Sequence, residues 1–191
     1  YGKKLLSLLP EVDLFLGTSH YHRLGEILQS SRNVNSKKLW ISRPLSLATS
    51  QSPRIRSTSS FSAYVKIADG CSNHCTYCMI PRLRGPYRSR TVEDILEEAS
   101  LLAADGVKEI NLIAQDTTAF GSDRKNEGEL ISLLESLDSL EGVQWIRLLY
   151  VYPDRVTPLL LRTMAQANKI VPYLDIPFQH CAPQILNAMR R

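Results

Sequence analysis

The sequence predicts an α/β fold in which parallel strands, each followed by a helix, build part of a (βα) barrel or an open doubly wound sheet. Two observations carry that expectation. From residue 61 onward, short apolar strands alternate with amphipathic helices in four consecutive units. Each strand also has one apolar face and one face carrying polar side chains, where a sheet buried evenly on both sides would be apolar throughout.

The N-terminal stretch reads as the closing part of an α/β domain, residues 1–41. A helix over 3–9 stops at Pro10, and "VDLFLG" (12–17) is a short apolar strand ending at Gly17. Thr18 and Ser19 offer caps for a helix over 20–29, and 37–42 is a second candidate strand. Residues 42–60 are rich in Ser and Thr with little apolar surface, which predicts a linker. The remainder, 61–191, is the barrel portion, cut before closure. The chain opens on Tyr1 and stops on Met189-Arg190-Arg191 inside a predicted helix, so a fragment of a longer protein is expected.

Within 61–191 the predicted strands are 63–68, 107–114, 143–151 and 170–176. The predicted helices are 91–104, 127–139, 154–167 and 183–191. Thr91 with Asp94 three residues on reads as a capping box, and Gly106 and Gly142 each close a helix before the next strand. Alternation places Val65, Ile67, Ile110, Leu112, Ile146, Leu148 and Tyr150 toward the helices. The opposite faces carry Lys66, Asn111, Gln115, Arg147 and Asp175. Buried charges need partners or ligands, so these five are expected to line one shared cavity or to form internal pairs.

A net charge of +4 permits contact with nucleic acid or a ribonucleoprotein without demanding it. Its sharpest local form is Arg82, Arg84, Arg88 and Arg90, a basic loop or a solvated one. No apolar run approaches the roughly 20 residues of a membrane helix, which predicts a soluble, cytoplasmic protein with no membrane partner.

Three of the four cysteines fall within "GCSNHCTYCMIP" (70–81), directly after the first barrel strand. Chemistry in such folds gathers at the carboxyl ends of the strands. Disulfides between such close neighbours strain the geometry and leave an odd thiol. A Cys3His zinc site with His74 is the serious rival, although zinc ligands usually come as two separated pairs. An iron–sulfur cluster fits the crowding better. A closed [4Fe–4S] site takes four thiolates, so three leave one iron open for a ligand.

The spacing Cys71-x3-Cys75-x2-Cys78, with Tyr77 before the last cysteine, resembles the signature of radical S-adenosylmethionine (SAM) enzymes. The segments 64–90, 106–121, 145–153 and 173–180, with Arg54-Ile55-Arg56-Ser57-Thr58 ahead of them, resemble the methylthiotransferase family. Within it they are most similar to the branch that acts on a ribosomal protein, with the tRNA-modifying branch as the alternative. The resemblance implies a radical-SAM partial barrel preceded by the C-terminal end of the family's N-terminal domain. It implies a [4Fe–4S] cluster on Cys71, Cys75 and Cys78, with SAM chelating the open iron.

The implied reaction replaces a C–H bond by methylthio at the β-carbon of one aspartate in a small-subunit ribosomal protein. It requires an external electron donor and a sulfur donor. A second [4Fe–4S] cluster is implied upstream, since no cysteine precedes Cys71, and a C-terminal TRAM domain is implied beyond this stretch. Tyr77, Gln115, Arg147, Asp175 and Gln179 are the candidate cofactor contacts. Tyr77 would pack on adenine or shield the cluster. Arg147 and Gln115 would meet the carboxylate or ribose, and Asp175 and Gln179 would lie on the reactive rim. Asp69 stands where the family usually has Glu, and Cys181 where a small residue is usual, the latter read as a partly buried spare thiol. A non-catalytic Cys3His zinc module that binds RNA is the reading from another class.

Overall fold

A computed structural model describes residues 2–30, 38–57, 59–125 and 128–191. Thr58, and the predicted first residues of the strand at 37 and of the helix at 127, lie outside the described residues. In chain order the elements begin with α1 (Gly2–Leu8), β1 (Phe15–Leu16), α2 (Leu24–Ser30) and β2 (Leu39–Trp40). The second group begins with β3 (Ser62–Lys66), β4 (Ala68–Asp69), α3 (Ile80–Arg84) and β5 (Arg88–Ser89). It continues with α4 (Val92–Ala104), β6 (Glu109–Ile113), α5 (Glu129–Asp138), β7 (Trp145–Leu148), α6 (Pro158–Gln166), β8 (Ile170–Leu174) and α7 (Pro183–Met189).

The main sheet has the order β3-β6-β7-β8, and every pair in it is parallel. The order runs in one direction without the reversal of a doubly wound sheet. The intervening helices stand side by side along the sheet, α4 against α5 and α5 against α6. This is an arc of a singly wound barrel. β1 and β2 form a separate parallel pair. β4 and β5 form a small antiparallel clasp; the strand reading ran Ala68 of β4 into its first strand and placed no strand at β5.

The core lies between the helices and one face of the arc. Ala63, Val65, Ile110, Leu112, Ile146 and Leu148 are fully buried there against Ile95, Ala99, Leu133, Leu134 and Leu137. Each such side chain contributes on the order of 2 kcal/mol on leaving water. The other face is half open: Tyr64, Trp145 and Tyr173 are about half exposed. Tyr150 departs from the expected alternation. It takes φ +62° just after β7 and turns its side chain out, because the chain bends there to enter the next loop.

The cap of α4 is realised by half. The Thr91 hydroxyl accepts from the Asp94 amide at 3.2 Å, but the Asp94 carboxylate turns to Arg90 at 2.6 Å and to the Ser50 amide at 2.8 Å. The stretch 42–57 is extended yet anchored. Arg54 bonds Glu98 and the Tyr64 carbonyl, and Arg56 reaches Asp105 and the Ser60 carbonyl. The stretch read as a linker is thus held to the barrel portion by polar contacts.

Candidate functional site

The loop after β3 is placed by the clasp. Gly70 takes φ +80°, and a Cβ there would sit 2.1 Å from the Pro86 carbonyl oxygen, so only glycine lets the two backbones approach. Next to it, the Cys71 amide donates to the Gly85 carbonyl at 3.1 Å, and the Ser72 hydroxyl accepts from the Tyr87 amide at 3.1 Å. Further along, the Thr76 amide donates to the Met189 carbonyl at 3.0 Å, which ties the loop to the end of α7.

The result is a cavity of about 110 Å³ at the carboxyl end of the arc. Cys71, Cys75 and Cys78 line it together with Asn73, Tyr77, Gln115, Tyr150, Tyr152 and Arg191. All three thiols are free. Burial pushes the Cys71 thiol up, against a hydrogen bond from the Asn73 amide that draws it down. Burial likewise pushes up the Tyr77 phenol. Larger clefts lie elsewhere, one under the 48–56 stretch and one between α5 and α6, but none of the predicted cluster ligands lines them.

The structure gathers part of the predicted set and disperses the rest. Tyr77 and Gln115 stand in the cysteine cavity, and Gln115 also shares a neighbouring hollow with Lys66. Arg147 does not reach it: it stands opposite Asn111 in the sheet register, its guanidinium is paired to Glu109 two residues from Asn111, and the Asn111 amide bonds the Ser62 hydroxyl. Asp175 accepts from the Tyr150 amide at 3.3 Å, and Gln179 is exposed with φ +68°. Lys66 pairs with Asp69. Of the two expectations for the five polar residues, internal pairing therefore holds for Lys66, Asn111, Arg147 and Asp175, each of which finds a partner nearby, while Gln115 stays in the hollow.

The basic run also separates. Arg90 is buried between Asp94 and Glu98, Arg84 approaches Asp69, and Arg88 turns to the Arg84 and Pro86 carbonyls. Cys181 is exposed, not partly buried, and stands apart from the other three.

The donor set fits an iron–sulfur cluster. Three thiols surround one hollow, and its lining contains no fourth cysteine and no histidine; His74 points to solvent. Among the described residues no three His, Cys, Asp or Glu side chains converge closely enough to hold one metal ion. A zinc ion would demand such convergence, whereas a cluster is ligated iron by iron and tolerates wider spacing. The wall also holds two buried polar atoms with no partner, Gln115 Oε1 and Arg191 Nε, which suits a polar ligand beside the thiols.

Residues 65–191 match the model of the Radical SAM superfamily. The chain belongs to the radical SAM superfamily.

Curated relatives extend the match over the whole chain. Ribosomal protein uS12 methylthiotransferase RimO from Syntrophobacter fumaroxidans is 59% identical over 191 residues, and its namesake from Pelobacter propionicus 45%. The chain spans 43% and 42% of those two proteins. Among solved structures, the radical SAM methyltransferase TsrM from Kitasatospora setae superposes with a TM-score of 0.54 at 16% identity. That match covers 69% of this chain and 24% of TsrM, and it speaks to the radical SAM fold alone.

Sequence reasoning missed Asn73, Asp116, Tyr152 and Arg155. Asp116 and Thr117 follow β6 at its carboxyl end, where function concentrates, and that position was the available signal. Their mutual contacts cross 39 to 82 residues of chain, which no local pattern reveals.

Proposed function

We propose that this chain is the radical SAM core of a methylthiotransferase that modifies ribosomal protein uS12 at the β-carbon of an aspartate. One observation carries the reading: three cysteine thiols, with no fourth cysteine and no histidine among the described residues of the lining, face a hollow at the carboxyl end of the arc. The whole-chain identity to uS12 methylthiotransferases supports the substrate over tRNA.

Cys71, Cys75 and Cys78 hold the cluster as thiolates. A cluster held there would supply the electron for cleaving the sulfonium C–S bond of SAM. Gln115 offers Oε1 as an acceptor to the cofactor's amine or hydroxyl groups. Tyr77 and Tyr152 wall the hollow and limit water, which strengthens each polar contact inside it. The Arg147–Glu109 pair keeps the strand interior neutral away from the thiols. A sulfur-handling second cluster on N-terminal cysteines would be held by residues outside this sequence, since none precedes Cys71. An external reductant and a sulfur donor complete the balance, and a ribosomal substrate places the reaction in the cytoplasm. Among the described residues no helix is long and apolar enough to cross a membrane.

The test uses the full-length protein, reconstituted anaerobically and given SAM, a low-potential reductant and sulfide. Offered uS12 and tRNA in separate reactions, it gains one methylthio group on a uS12 aspartyl peptide by mass spectrometry. A gain on tRNA alone assigns the tRNA-modifying branch instead. A colourless protein holding one zinc per chain overturns both.

A further inference from the structure

Three loops from three successive strands meet behind the cysteines in one closed ring of hydrogen bonds. Asn73 lies between Cys71 and Cys75. Its amide nitrogen donates to Asp116 Oδ2 at 3.0 Å. Arg155, from the turn after β7, donates to the same Oδ2 at 2.6 Å and, through its other terminal nitrogen, to Asn73 Oδ1 at 3.0 Å. The carboxylate is 2% exposed. Its Oδ1 accepts from the Thr118 hydroxyl at 2.7 Å, and the Asp116 carbonyl accepts from the buried Tyr87 hydroxyl at 2.8 Å. Every polar atom of the Asp116 side chain and of the Asn73 amide group is thereby engaged.

We propose that Arg155 is a positioning residue for the cluster loop, holding the segment between Cys71 and Cys75 through a shared fork on Asn73 and Asp116. This inference rests on the cluster reading above. A guanidinium can bond both partners at once because its donors lie in a rigid plane, which an ammonium cannot copy. The ring face of Tyr152 fixes Arg155 further, with its guanidinium carbon 5.1 Å from the ring centroid. Arg155 has a second effect. Asp116 is 2% exposed and bonded to the cysteine loop through Asn73. The guanidinium at 2.6 Å offsets that charge. Loss of Arg155 would therefore do two things: it would free the loop, and it would leave the Asp116 carboxylate without its ionic partner next to the loop that would carry the cluster.

The experiment uses the full-length protein with Asn73→Ala, Arg155→Lys, Arg155→Met and the Asn73→Ala/Arg155→Met pair. Iron release from the reconstituted cluster to a ferrous chelator is followed anaerobically, with the midpoint potential by EPR titration. Amide exchange over 72–78 is measured on cluster-free protein. Asn73→Ala and Arg155→Met each accelerate iron release by about 10- to 100-fold, the usual scale for losing an outer-shell partner. The double variant is no faster than the faster single one, because both remove one shared contact. Arg155→Lys keeps the potential near wild type but not the release rate, which separates charge from fork. Amides 72–78 exchange faster in Asn73→Ala, a loop change that spares the buried carboxylate if Arg155→Met fails to fold. Wild-type release and exchange in Asn73→Ala, or additive effects in the pair, overturn the inference. Failure of the wild-type protein to assemble any cluster overturns the functional reading instead.

Discussion

At the scale of single residues, the cysteine loop depends on side chains that are absent as much as on those present. Gly70 has φ +80°, and a methyl group there would overlap the Pro86 carbonyl at 2.1 Å. Gly70→Ala therefore combines a left-handed strain of about 1–3 kcal/mol with displacement of the 85–86 backbone that receives the Cys71 amide. The expected outcome is a lowered melting temperature together with reduced iron content of the full-length protein, read by calorimetry and iron assay on the same sample. Cys75→Ala behaves differently. Cys75 is half-buried and its neighbours are held by backbone bonds, so the fold survives while the cluster at this site is lost. Iron content at this site falls to near zero with an unchanged far-ultraviolet circular dichroism spectrum.

At the scale of elements, what sequence reveals is local periodicity, and what it conceals is pairing at a distance. The strands β3, β6, β7 and β8 and the helices α4 to α7 were legible because their apolar faces repeat at two and 3.6 residues. The clasp of β4 with β5 was not, since two-residue strands carry no periodic signal and owe their place to Gly70 and to Asp123. That carboxylate accepts from the Ser89 amide at 3.0 Å and from its hydroxyl at 2.6 Å. The crowding of the three cysteines in one loop was legible from their spacing, and the polar face that carries Gln115 from strand alternation; that they line one hollow is what the structure adds. Arg147 was left between a cofactor contact and an internal pair because alternation gives the face of a strand but not the partner that claims the side chain, here Glu109 on the adjacent strand. Caps are the other legible feature. Thr91 takes its predicted position with extended backbone, so Thr91→Ala costs about 1 kcal/mol of stability, measurable as a shift in denaturation midpoint at constant slope.

At the scale of the whole molecule, the stretch 42–57 couples the N-terminal elements to the barrel arc by charge. It crosses α4 and the outer edge of β3, which has no strand partner on that side among the described residues. The Arg54 guanidinium donates to the Tyr64 carbonyl at 2.6 Å, so it occupies an acceptor that an open edge would present to another chain. Asp94 joins this network from α4. Burial works against its charged form, but hydrogen bonds from Arg90 and Ser50 outweigh it and hold the carboxyl below the usual carboxylate range. A depressed folded pKa gives stability that is complete above the unfolded value of about 3.9 and is lost as pH falls through the folded one. Acid below about pH 4 is thus expected to release the 48–52 segment, seen as faster amide exchange at Ser50 before the sheet amides respond.

Glu98 gives the same coupling a test at neutral pH. Its carboxylate serves two arginines, Arg54 from the stretch and Arg90, whose side chain is 2% exposed. In Glu98→Gln the volume is kept and the charge removed. Arg54 then loses its ionic partner and Arg90 retains only Asp94. A partly exposed pair such as Arg54–Glu98 contributes up to about 1 kcal/mol, which corresponds to about a 5-fold change in an equilibrium. Trypsin cleavage after Arg54 or Arg56 requires the stretch to leave the surface, so its rate follows the open population. Glu98→Gln is expected to raise that rate by up to about 5-fold at low salt. The variant is also expected to reduce the salt dependence that wild type shows, because added ions screen a pair that the variant no longer has. Equal cleavage rates in both proteins across the salt series would mean that backbone bonds, and not charge, hold the stretch down.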